Sequence, residues 1–130
     1  MDERKPRIGQ IDHVSVLVSD LNAAMGFYRD TLGLAVDPQR PDLGFPGAWL
    51  ELDGEQRIHL LVLPNPDPVE GRPAHGGRDR HFALTVSDVD AMAERLERSG
   101  VDVTRSRSGR RALFCRDPDG NAIEFFERQA

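Results

Sequence analysis

Four residues in this chain have the types and spacing for metal chemistry: His13, His59, His81 and Glu124. Each sits inside a short apolar run: His13-Val-Ser-Val-Leu-Val, Ile58-His59-Leu60, His81-Phe-Ala-Leu-Thr-Val and Ile123-Glu124-Phe125. The spacing from His13 to His59 is 46 residues, and from His81 to Glu124 it is 43. Neutral imidazole and carboxylate are donors that suit Zn, Ni, Co, Mn or Fe(II). A lone ionised glutamate in an apolar sheet costs several kcal/mol unless it is paired or coordinates a cation. Four protein ligands would leave one or two positions open on a five- or six-coordinate ion. Open positions distinguish a catalytic metal site from a structural one. A single histidine on a strand is ordinarily a half-exposed residue without chemistry. Four candidates at matching places of an internal repeat are not independent accidents.

That repeat is visible in the sequence. His13-Val-Ser-Val-Leu-Val-Ser19-Asp20-Leu21-Asn22-Ala23 reappears as His81-Phe-Ala-Leu-Thr-Val-Ser87-Asp88-Val89-Asp90-Ala91. Gly33–Val36 resembles Gly100–Val103, Ala48-Trp49-Leu50 aligns with Ala112-Leu113-Phe114, and Ile58-His59-Leu60 aligns with Ile123-Glu124-Phe125. Repeats take precedence because they set the architecture. Module one spans about residues 9–63 and module two about 80–127, within one domain over 1–130. Between them, about 64–79, prolines and glycines cluster in a way that suits a linker.

Each module reads as strand, helix and three further strands. Residues 11–18 and 81–86 are apolar and β-branched, as strands are. Ser19-Asp20 and Ser87-Asp88 offer helix N-caps. Leu21, Ala24, Met25, Tyr28 and Leu32, then Val89, Met92, Ala93 and Leu96, recur at helical spacing, and Gly33 and Gly100 fit the stops. Further strands are expected over 34–36, 48–52, 58–63, 101–104, 112–115 and 122–126. A turn is expected at Asp117-Pro-Asp-Gly120.

Period-two alternation then sorts each strand by face. Val14, Val16 and Val18 share one face, as do Phe82, Leu84 and Val86; these large apolar sets should pack under the helices. His13 and His81 turn to the other side. Ile58, Leu60 and Val62 likewise face away from His59, and Ile123 and Phe125 face away from Glu124. All four candidates thus share the face turned from the helices.

Composition bounds the class. The chain has 130 residues, 38% hydrophobic and 30% charged, which reads as one soluble globular domain. Its net charge of −5 argues against a nucleic-acid partner. No apolar run approaches the roughly 20 residues needed to span a bilayer, so no membrane partner is expected. Met1-Asp2-Glu3-Arg4-Lys5-Pro6 is charged, unlike a secretory leader, and the expected location is the cytoplasm. One cysteine, Cys115, excludes an internal disulfide and a thiolate zinc cluster.

With these motifs in hand, the chain resembles the vicinal oxygen chelate superfamily, which unites glyoxalases, bleomycin-resistance proteins and extradiol dioxygenases. The resemblance rests on Ile11-Asp-His13, on Phe27-Tyr28 with Leu32-Gly33-Leu34, on Arg80-His81-Phe-Ala-Leu, and on Phe114-Cys-Arg-Asp117-Pro-Asp-Gly120-Asn-Ala-Ile-Glu124. It runs from about Gly9 to Glu127. The resemblance implies an α+β fold in which two βαβββ modules form paired, incompletely closed β-barrels around a divalent metal. It implies ligand roles for His13, His59, His81 and Glu124. By analogy with small two-module members, it implies a homodimer, with His13 and His59 of one chain facing His81 and Glu124 of the other. The layout is nearest to glyoxalase I, which isomerises the hemithioacetal of methylglyoxal and glutathione; there Glu124 would be the acid/base. The chain departs from glyoxalase I at His59, where that enzyme has glutamate, making the site less anionic by one unit. His13, His81 and Glu124 also match the two-histidine, one-carboxylate set of the superfamily's Fe(II) dioxygenases. Metal-free binding of a drug or metabolite, as in bleomycin-resistance members, is a third reading, and it fits a chain carrying all four ligands poorly.

Secondary candidates remain. The basic stretch Thr104–Arg111 would suit an acidic small-molecule substrate, with Arg107 and Arg111 as gripping residues, although a solvated hairpin is the plainer reading. Trp49 and Phe45 are candidates to wall a substrate pocket or to fill core. Glu51 reads as surface or barrel lining, and His75 as an exposed linker residue. Cys115 reads as buried and inert.

Overall fold

The computed structural model describes residues 4–128; the charged start at Met1–Pro6 therefore lies partly outside the described residues. Eight strands form two four-stranded mixed sheets. The first contains β1 (His13–Val18), β2 (Ala35–Val36), β3 (Gly47–Glu51) and β4 (Arg57–Val62), in the order β1-β4-β3-β2. The second contains β5 (His81–Val86), β6 (Thr104–Arg105), β7 (Ala112–Arg116) and β8 (Ala122–Glu127), in the order β5-β8-β7-β6. In each sheet the first and last strands of the module run parallel, and the remaining pairs are antiparallel. The fold is thus α+β with two βαβββ units. Neither sheet closes on itself, and β1 and β5 are left at sheet edges.

The helices begin where their caps stand. Asp20 accepts the backbone N–H of Asn22 and Ala23 at the start of α1 (Leu21–Met25), and Asp88 accepts that of Ala91 at the start of α2 (Val89–Arg98). Both helices end near a glycine with φ +80°, Gly33 and Gly100, a backbone that side chains disfavour. The first helix departs from expectation midway. After Met25 it winds as a π-helix over Gly26–Thr31, with the Leu32 N–H reaching the Phe27 carbonyl at 2.9 Å. The wider turn buries the neighbours Phe27 and Tyr28 together, their rings edge to face at 4.9 Å.

The helix-facing sides of both sheets contribute to one core: Val16, Val18, Leu50, Ile58 and Leu60 from the first, and Leu113, Cys115, Ile123 and Phe125 from the second. The Asp117–Asn121 turn clamps the modules to each other. Tyr28 donates its hydroxyl to Asp117 Oδ2 at 2.7 Å, the Ser19 N–H donates to Asp119 Oδ1 at 3.0 Å, and Asn121 Nδ2 donates to the Leu17 carbonyl at 3.1 Å. Arg95 of α2 adds bonds to the carbonyls of Thr31 and Asp30.

The register corrects one sequence alignment. Trp49 lies opposite His59, and Phe114 lies opposite Glu124. Trp49 is therefore the counterpart of Phe114 rather than of Leu113. Short strands with little flanking pattern leave such one-residue slips open, and a slip turns every side chain to the other face.

Candidate metal centre

The two candidate pairs occupy one geometry twice. In the first sheet His13 stands beside Arg57 and Ser15 beside His59. In the second His81 stands beside Ala122 and Ala83 beside Glu124. Each pair is therefore a diagonal across parallel strands, with the C-terminal partner two residues further along. The alternating pleat puts both members on the side away from the helices.

In the first pair the rings of His13 and His59 stack, centroids 3.9 Å apart and 13° from parallel. Trp49, across β4 from His13, stacks on the other face of His59 at 4.3 Å and 7°. Three rings thus form a column, with His59 in the middle. Burial, chiefly, and the neighbouring His13 hold the His59 imidazole below its ordinary pKa, which keeps its lone pair available. His13 Nδ1 lies 2.7 Å from Asp12 Oδ2, and this hydrogen bond holds the Asp12 carboxyl below its usual range. Arg57 is on the same face, but its charge is met by the buried Asp37 at 2.5 Å. The Gln39 N–H and Arg57 together hold the Asp37 carboxyl low.

In the second pair His81 Nε2 lies 3.3 Å from Glu124 Oε1, and Arg110 approaches Glu124 Oε2 at 3.7 Å. His81 Nδ1 donates to the Asp79 carbonyl at 2.9 Å, which is the tautomer that leaves Nε2 with its lone pair. The Asp79 segment is itself fixed. Its carboxylate takes Arg72 at 2.7 and 3.0 Å and Arg116 at 2.9 Å, contacts that hold it far below the usual carboxylate range. Phe114 meets the His81 ring edge to face at 5.4 Å, the counterpart of Trp49 on His59.

The donor set fits a divalent cation. Both anchored imidazoles hold a hydrogen-bond acceptor at Nδ1, the support that metal-ligating histidines characteristically have. Glu124 is only 9% exposed in its side chain. Neither partner reaches it at the about 2.7–2.9 Å of a charge-assisted hydrogen bond. Among the described residues, no three His, Cys, Asp or Glu side chains gather for a metal within one chain. The chain presents two candidate donor pairs, one of two imidazoles and one of an imidazole and a carboxylate.

The other candidates fall as follows. Trp49 lines the site face. Arg111 does not: it holds Glu127 at 2.6 Å and Asp90 at 3.0 Å, and Glu127 sits one residue out of phase with Glu124, on the helix side of the sheet. Arg107 is exposed in the β6–β7 loop. Arg110, not singled out by spacing within its basic stretch, is the residue of that loop that reaches Glu124. Phe45 is half-buried under Arg40, and Glu51 is exposed at the end of β3. His75 is half-buried rather than exposed, capping Gly77 and meeting Phe114 at 4.9 Å. Cys115 is buried, and burial pushes its thiol up to about 12.

Comparison with known proteins bears on the family and the fold. The chain is 35% identical over 120 residues to the Arabidopsis thaliana protein named glyoxylase I 4, covering 88% of this chain and 68% of that one. It is 33% identical to lactoylglutathione lyase of Haemophilus influenzae, over 93% of this chain and 94% of the relative. Its fold superimposes on a crystal structure of a glyoxalase family protein from Bacillus anthracis with a TM-score of 0.79 and 29% identity, covering 96% and 99% of the two chains. No helix among the described residues is long and apolar enough to cross a membrane. The family model described as Glyoxalase/Bleomycin resistance protein/Dioxygenase superfamily matches residues 10–125, and the chain belongs to that superfamily.

Proposed function

We propose that this protein is a divalent-metal-dependent, glyoxalase-like lyase or isomerase. It acts on a small oxygenated metabolite at a site that two copies complete together, with His13 and His59 from one and His81 and Glu124 from the other. The observation that carries this reading is the repeated diagonal pair, with its two anchored imidazoles and its loosely held, buried carboxylate. The likeness to lactoylglutathione lyase supports it.

His13, His59, His81 and Glu124 would hold a divalent cation, which would supply Lewis acidity toward oxygens of the substrate. The protein supplies the rest. His13, His59 and His81 present neutral donors that add no charge of their own. The Trp49 column and the Asp79 carbonyl fix ring orientation, so little reorganisation accompanies binding. Glu124 takes a proton from one carbon of the substrate and returns it to the next. Its burial keeps water from competing for that proton.

The test starts with protein purified without chelator. Elemental analysis should find about one divalent metal per chain. With Ni, Co or Zn in excess, thioester formation from methylglyoxal and glutathione is followed by absorbance. Glu124→Gln should lower turnover by at least about 100-fold, the scale of a lost general acid–base group. Full turnover in that variant removes the acid/base assignment. Oxygen consumption with catechols and Fe(II) would assign dioxygenase chemistry instead.

A further inference from the structure

Most cations around the two sheets are already matched. Arg57 is held by Asp37, Arg72 and Arg116 by Asp79, Arg105 by Asp90, and Arg111 by Glu127 and Asp90. Arg110 differs. Its guanidinium lies over the Phe126 ring, 4.5 Å from the centroid, with Glu124 Oε2 at 3.7 Å. Among the described residues that side chain makes no hydrogen bond, and it is 56% exposed. Glu124 and Phe126 are two residues apart on β8, so Arg110 stands on the site face. The ring contact engages the guanidinium carbon and holds the group against β8. With the side chain 56% exposed and Glu124 no nearer than 3.7 Å, its several N–H donors in a rigid fork remain without a hydrogen-bond partner beside Glu124.

Charge makes the same point. Three neutral imidazoles, one carboxylate and a divalent cation sum to one positive charge, and Arg110 adds a second. Glu124 is the carboxylate near Arg110, at 3.7 Å. With Glu124 engaged by a cation, the fork would be free to meet an anionic group of the substrate.

We propose that Arg110 is the anion-binding residue of this site, and that its substrates carry a carboxylate adjacent to the two vicinal oxygens. This rests on the metal-dependent reading above and names the substrate class within it. It moves substrate recognition from Arg107 and Arg111 to their neighbour.

Two probes isolate the effect. Glycolate offers a hydroxyl and a carboxylate as vicinal oxygens; tartronate offers the same pair plus one more carboxylate. Calorimetric titration of Zn-loaded protein should show tartronate binding more tightly than glycolate. The ratio of the two affinities should fall at least about tenfold in Arg110→Gln, the scale of a lost charge-assisted contact. Arg110→Lys, which keeps the charge without the fork, should restore only part of the ratio. An unchanged ratio in Arg110→Gln overturns the assignment, as does absence of tartronate binding to the wild-type protein at millimolar concentration. If tartronate binds equally with and without Zn, the metal-dependent reading falls, and the effect of Arg110→Gln on tartronate alone still decides the role of Arg110.

Discussion

At the scale of single residues, His59 shows how a site is tuned without a charge. It is the middle ring of a column, with His13 on one face and Trp49 on the other. Contact with the indole removes water from the imidazole, and water is what stabilises the charged form. Trp49→Leu should therefore raise the His59 pKa toward its ordinary value, measured by NMR titration. It should also weaken zinc binding a few-fold, since an aromatic pair contributes about 0.5–1.5 kcal/mol beyond its buried area. The sign for stability follows. A histidine held below its ordinary pKa gives the unfolded chain the first claim on a proton, so this contribution is lost as pH falls through and below the ordinary imidazole range. The candidate ligands were legible in sequence because apolar alternation fixes which face a strand residue takes. The stacking was not, because it depends on which strands become neighbours. Arg110 was hidden for a related reason: Arg110 and Arg111 are adjacent in a basic loop, and the hairpin decides which one meets Glu124.

Among the elements, the turn Asp117–Asn121 joins the two modules most directly. Asp117 is buried, and burial pushes its carboxyl pKa up although four donors hold it: Tyr28, the Asn121 side chain, and the N–H groups of Asp119 and Asn121. Tyr28 is fully buried, and burial next to that carboxyl raises its phenol well above the usual range, so it remains a donor. Tyr28→Phe deletes one bond between modules and leaves a buried carboxyl one donor short. It should cost about 1–3 kcal/mol in denaturant unfolding, without altering the far-UV spectrum. Caps, glycine stops and this turn were all readable, since each depends on local backbone chemistry. The π-winding of Gly26–Thr31 was not, because α- and π-turns put the same apolar residues on nearly the same stripe. The β3–β7 alignment slipped by one for want of pattern in five-residue strands.

At the scale of the whole molecule, each chain carries two candidate half-sites; among the described residues no three possible metal donors gather in one chain, and strands β1 and β5 each pair on one side only. A two-fold dimer that brings unlike halves together would make two equal sites. Mixing two inactive variants tests this. His13→Ala/His59→Ala destroys one half and Glu124→Gln the other. Dissociated, mixed in equal amounts and reassociated, they should form mixed dimers in about half of the population, each with one intact and one doubly damaged site. Turnover should return to about one quarter of wild type. No recovery despite demonstrated subunit exchange would mean that each site comes from a single chain.

Cys115 has a practical corollary. The only thiol in the chain lies inside the shared core, with its ionisation pushed up to about 12, so reagents that attack thiolates have almost nothing to attack while the fold is intact. A cysteine engineered at a surface position would be the sole labelling point without first deleting the native one. Spectroscopic distance measurements between copies of the chain could then begin from an otherwise unaltered molecule.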